Sequence, residues 1–210
     1  MKYCNFYEKL DSMQEKEHIE NFLVYHTALV IAKVKPAVTI ALSKKNEARF
    51  DAWKKYGEGF LQSIDLKYIE LRKCENSIIL MIYDEEVLEK EINTEEHIEF
   101  LNKLGYSKEL EMNEYVNFLK LRYEKYHCPH ELGVFLGIPI EDVRDFMECT
   151  DKKCLLCGYW KVYNNKVNAE NIFTKYDKVK EFTVKNMLDG KLSRDLVLSI
   201  KNSFHTAQYI

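Results

Sequence analysis

"LKYIELRKCENSIILMIYD", Leu66–Asp84, is the stretch on which the fold turns. Leu66, Tyr68 and Glu70 alternate with Lys67, Ile69 and Leu71, the two-residue period of a strand. After the compact turn "CEN", residues 78–83 are almost wholly apolar. A β-hairpin is the economical reading. Its second strand is apolar on both faces, which predicts a central place in the sheet.

Upstream of the hairpin, "AVTIAL" (Ala37–Leu42) is short and β-branched and reads as a strand. Before it, Ile19, Phe22, Leu23, Val30 and Val34 have the spacing of a helix with one apolar face, which Pro36 is expected to stop. Asn46–Ser63 returns to helical spacing through Phe50, Trp53 and Phe60. Downstream, helices are expected over Asp84–Ile92, Thr94–Leu104 and Glu109–Tyr126. Thr94 can cap the second of these alone, because His97 rather than Glu or Gln follows three residues on, and Gly105 is a natural C-cap. "GYWKVY" (Gly158–Tyr163) reads as a fourth strand, followed by helices over Val167–Leu188 and Leu192–Phe204. The sum is α+β: a small three- or four-stranded, mainly antiparallel sheet wrapped by several helices.

With 46% hydrophobic residues among 210, the chain can bury one core and is expected to form a single domain, 1–210. Seven glycines and three prolines argue against long flexible linkers. The 31 basic and 34 acidic residues leave a charge of −3, with no basic excess to attract a nucleic acid. The first residues lack a signal-peptide pattern and the apolar runs are too short for a bilayer, so a cytoplasmic protein without a membrane partner is expected. Nothing in the composition fixes an oligomeric state. In that compartment Cys4, Cys74, Cys128, Cys149, Cys154 and Cys157 should be thiols or ligands, and four of them fall between positions 128 and 157.

That same region holds "HCPHELGVFLGIPIEDVRDFM", His127–Met147, a helical corner (129–148) that leads on to the 158–163 strand. In outline it is a helix-turn-helix, with Gly137 as the turn residue. A DNA-reading second helix would have to approach phosphates, yet its polar positions are Glu141, Asp142, Arg144, Asp145 and Glu148. Four acids against one base exclude that use. A corner packed by Leu132, Phe135, Ile140, Val143 and Phe146 explains the same spacing.

"CLLCGY" (Cys154–Tyr159) has the Cys-x-x-Cys-Gly form of a metal knuckle. Completing a tetrahedral site would take Cys149 with Cys128, His127 or His130. The alternatives are small apolar residues entering a buried strand, or a redox pair. "HCPH" raises iron or haem, because a Cys-Pro step can present a thiolate to the metal. Zinc and iron/haem are therefore the cofactors these donors could take. "HELGV" is not a metalloprotease signature, since Val134 stands where the second histidine belongs. Phosphate-binding glycine loops and the Gly-x-Ser-x-Gly elbow do not occur, and "GEGF" (Gly57–Phe60) has Gln62 in place of a third glycine. His26 lies on the apolar face of its helix with Leu23 and Val30, the usual setting of a hydrogen-bonded core histidine. Tyr159, Lys161 and Tyr163 share one strand face, which could stack on a flat ligand and pair with an anionic group, or be an ordinary amphipathic face.

Five segments carry a resemblance: "FLVYHTALVIAKVKPA" (22–37), "IILMIYDEEVLEKEI" (78–92), "FLNKLGY" (100–106), "PHELGVFLGIPIEDVRDF" (129–146) and "CGYWKVYNN" (157–165). The chain is similar to the domain of unknown function 3793 family, uncharacterised proteins of anaerobic Gram-positive bacteria. The resemblance brings no activity. It places Pro129, His130 and Glu131 inside the shared block and Cys128 outside it, which weakens a haem reading. The family pattern commonly has Cys-Ala-Pro after the position of His26, where this chain has Thr27, Ala28 and Leu29.

The residues expected to form a site are accordingly His130, Glu131, Trp160, Lys161 and Tyr163, holding a small ligand, metal or cofactor where the corner meets the aromatic strand. His130 would be ligand or hydrogen-bond donor, Glu131 its orienting carboxylate or a second ligand, and Lys161 an anion partner. The competing expectations are an enzyme with His130 and Glu131 as an acid–base pair, and a protein-interaction scaffold.

Overall fold

The computed structural model describes residues 8–148 and 151–205. Strands β1 (Ala37–Ser43), β2 (Lys67–Cys74) and β3 (Ser77–Tyr83) form an antiparallel sheet in the order β1–β3–β2, so the apolar strand is central. Cys74 pairs with Ser77 across the turn, and Ala37 and Lys67 both pair with Tyr83 at the far end. A bulge between Glu70 and Arg72 lets Leu71 reach full burial. From β3, Ile78, Leu80 and Ile82 enter one buried cluster while Met81 and Tyr83 enter another. After Ser77 the strand has no polar residue, because both of its faces pack against apolar clusters.

The first cluster is closed by α1 (Glu15–Ile31), by the helical run after β1, and by the two C-terminal helices α9 (Lys166–Leu188) and α10 (Ser193–Phe204). The second is closed by α4 (Glu85–Ile92), α5 (Glu95–Lys103), α6 (Met112–Tyr126), α7 (Leu132–Phe135) and α8 (Ile140–Met147). The run after β1 comprises α2 (Glu47–Ala52), a π turn (Trp53–Gly57) and α3 (Glu58–Ser63). Caps set several boundaries. Asp84 and Thr94 accept from Val87 and His97 backbone N–H groups, and Glu111 with Glu114 closes a reciprocal box that starts α6 at Met112, not Glu109.

Two expectations are corrected. Pro36 does not stop α1; the helix ends at Ile31, where Lys33 turns left-handed (φ 54°) and the Lys33 and Val34 N–H groups donate back to Val30 and Leu29 carbonyls. "GYWKVY" is not one six-residue strand of the main sheet. Only β5 (Lys161–Val162) pairs, with β4 (Leu156–Cys157), as a separate two-stranded hairpin. Residues 158–160 form its turn, and the N–H groups of Tyr163 and Asn164 donate to the Asp142 carboxylate instead of a neighbouring strand.

The corner sits where the two clusters meet, and Ile138 packs against both. Gly137, at φ +69°, makes this approach; a Cβ there would lie 2.6 Å from Pro36 Cδ. Among the described residues no helix is long and apolar enough to cross a membrane.

Candidate functional site

Helix α6 ends at exposed His127 in a positive-φ conformation (63°), and the chain turns through Cys128 and buried Pro129 into the corner. The turn that leads into α7 sends two expected partners in opposite directions. Glu131 turns inward to 1% exposure, where it pairs with Arg122 of α6 and accepts from the Tyr106 hydroxyl at 3.5 Å. Arg122 also donates to the Leu104 carbonyl at the end of α5 (2.9 Å). Burial, then the nearby Glu131 charge, pushes the Tyr106 hydroxyl far above its usual range, so it stays a donor. His130 turns outward instead, with its ring edge-on to Phe146 of α8 (centroids 5.0 Å). Glu131 thus partners Arg122 and Tyr106 while the His130 ring contacts Phe146.

His130 does meet the aromatic hairpin. Between the corner and the hairpin lies a cleft of about 290 Å³, lined by His130, Leu136, Ile138, Phe146, Trp160 and Lys161 among others. Its lining is mostly apolar, and Lys161 Nζ stands 5.7 Å over the Phe146 ring that His130 also contacts. Phe146 is 41% exposed, large for an aromatic residue, at the rim of this space. Cys128 contributes to the wall. Glu131 and Tyr163 do not line it. At about 290 Å³ the cleft is at the small end of ligand pockets.

The residue that builds this geometry is Asp142, which sequence reasoning grouped with the solvated acids of α8. It is 3% exposed and accepts four hydrogen bonds: from Trp160 Nε1 (2.8 Å), Tyr163 N (2.9 Å), Asn164 N (3.0 Å) and Asn164 Nδ2 (3.0 Å). A buried carboxylate satisfied in this way clasps the hairpin to the corner. The signal in the sequence was a tryptophan, whose indole N–H needs an acceptor when buried, close to a helix that offers several acids.

The thiols stand apart from that clasp. Cys154 Sγ and Cys157 Sγ are 3.4 Å apart, with Cys157 exposed and Cys154 half-buried, so neither is a core residue of a strand. Hydrogen bonding to Cys154 raises the Cys157 thiol above its ordinary value. Among the described residues no group of three or more His, Cys, Asp or Glu side chains is placed to hold a metal ion. Cys149, which the tetrahedral arrangement called for, lies outside the described residues. The described part of the knuckle thus presents two donors where a closed zinc site needs four. In α1, the His26 ring lies against Phe22 and Tyr25 at 4.3 and 5.1 Å. Burial, then Lys180 and Arg49, holds it down at about 4. Burial likewise brings Lys35 and Lys180 to about 8.

No curated protein and no solved structure matches the chain. One family model does, described as a protein of unknown function (DUF3793), and it covers residues 23–197, which include the second cluster and the whole cleft. The chain belongs to the DUF3793 family.

Proposed function

We propose that this protein is a small-molecule binding module, acting in the cytoplasm, whose cleft takes a flat, largely apolar ligand bearing an anionic group. The observation that carries the reading is the juxtaposition of Trp160 and Phe146 with two nitrogen donors, His130 and Lys161, around one apolar space. Aromatic walls supply contact area and rings to stack on, and the lysine at the rim pairs with the anion without being buried. Cys74, Cys128, Cys154 and Cys157 are free thiols. Neither a nucleic acid nor a membrane enters this reading.

The probe is 1-anilinonaphthalene-8-sulfonate, a flat apolar anion that fluoresces on binding. Saturable binding to one site is expected, weakened about three- to tenfold by Lys161→Ala and by Phe146→Ala, at an unchanged unfolding midpoint. Both side chains are exposed, so the fold should tolerate the changes. Binding that ignores both substitutions would place the dye elsewhere and refute the proposal.

A further inference from the structure

The Cys154–Cys157 pair serves no purpose in the cleft reading, and its geometry has a chemistry of its own. The two sulfurs, three residues apart, approach to 3.4 Å. That is short of a bond, which needs about 2.05 Å. Cys154 Sγ donates to the Leu156 carbonyl at 3.2 Å, which holds it on the hairpin side, while Cys157 is open to solvent. Cys157 lies opposite Lys161 in the β4–β5 register, and this cation offsets part of the rise that Cys154 imposes on the accessible thiol. The turn that follows is anchored: a Cβ on Gly158 would meet Phe173 Cε2 of α9 at 2.2 Å, so the backbone is pressed onto that ring. One accessible sulfur, one shielded sulfur beside it and a fixed backbone are what thiol–disulfide exchange requires.

We propose that Cys154 and Cys157 are a reversible dithiol–disulfide centre that exchanges with low-molecular-weight disulfides. The Cys157 thiolate attacks one sulfur of the external disulfide, forming a mixed disulfide and expelling the first small thiolate. The Cys154 thiolate then attacks Cys157 Sγ, forming the internal bond and expelling the second. The small disulfide gains two electrons and leaves as two thiols. The protein loses two electrons, and its two sulfhydryl protons pass through solvent to the departing thiolates. The reverse sequence, driven by excess small thiol, restores the dithiol.

The test equilibrates the full 210-residue chain with mixtures of oxidised and reduced glutathione, followed by alkylation and peptide mapping. The wild type should form the Cys154–Cys157 disulfide and recover both thiols when reduced glutathione is raised. Cys154→Ser should accumulate a glutathione adduct on Cys157 that clears at least about tenfold more slowly than in the wild type. Cys157→Ser should form neither product at position 154. The exposed thiols Cys74 and Cys128 are internal controls for nonspecific modification. Three results would overturn the inference: glutathione spread evenly over Cys74, Cys128 and Cys157 with no internal bond; an internal bond that joins Cys149 instead; or both thiols protected by one equivalent of zinc in the purified protein.

Discussion

Glu131 and His130 are neighbours with opposite fates. Glu131 is enclosed with Arg122 and Tyr106, so truncating it leaves the guanidinium, 17% exposed, without its counter-charge. Glu131→Ala should cost about 3 kcal/mol or more in urea unfolding. Replacing both partners with leucine should cost clearly less than the sum of the single losses, because no orphaned charge remains. If Glu131→Ala is neutral, the pair is not the buried anchor described above. His26 gives a pH signature. Its imidazole titrates near 4 in the folded protein against 6.5 in the unfolded chain. Between those values the unfolded chain binds the extra proton. Its contribution is therefore complete above about pH 6.5, falls as the pH drops, and is gone near pH 4, about 3 kcal/mol in all. His26→Gln should flatten that part of the stability profile relative to wild type. Parallel profiles for the two proteins would show that the histidine is not held neutral. Neither Arg122 nor the His26 environment could be read from sequence. Their partners come from other helices, and spacing along one helix does not reveal them.

Between Asn46 and Ser63 the periodicity correctly gives a helical run but hides the π turn inside it. A window that counts apolar residues at three and four cannot register one widened turn. The sequence sign was Gly57 standing four residues after Trp53. Two glycines in this run make a paired prediction. At Gly57 a Cβ would lie 2.1 Å from Trp53 Cε3, and the indole, 5% exposed, has no room to withdraw. Gly57→Ala should destabilise by more than about 2 kcal/mol. At Gly59 nothing lies within 4 Å, so Gly59→Ala should add up to about 1 kcal/mol by helix propensity alone. Thermal unfolding of the two variants checks both signs, and equal effects would mean the π turn is not packed as described. The β2–β3 hairpin, by contrast, was readable apart from its bulge and the pairing of Cys74 with Ser77, because alternation, a tight turn and a doubly apolar strand are all local. The short β4–β5 hairpin was not, since its turn and its length are decided by Phe173 and Asp142, distant in sequence.

Two hydrophobic bodies share the β3 strand, and the 156–163 hairpin is tied across their junction by Asp142. Asp142→Ala strips acceptors from four donors at once and should cost about 2–4 kcal/mol. Its pattern is more telling than its size. In hydrogen exchange, the Tyr163 and Asn164 amides should accelerate at least about tenfold beyond the general change, while central β3 amides such as Leu80 follow global stability only. Uniform acceleration would mean that the hairpin has no independent hinge at this carboxylate. Ile138, which belongs to both bodies, also forms part of the cleft wall. A guest lodged against it would therefore act as a rivet between two halves that already share the sheet. Saturation should then draw any separate loosening of the halves into a single melting event, at a temperature that climbs with guest concentration by mass action.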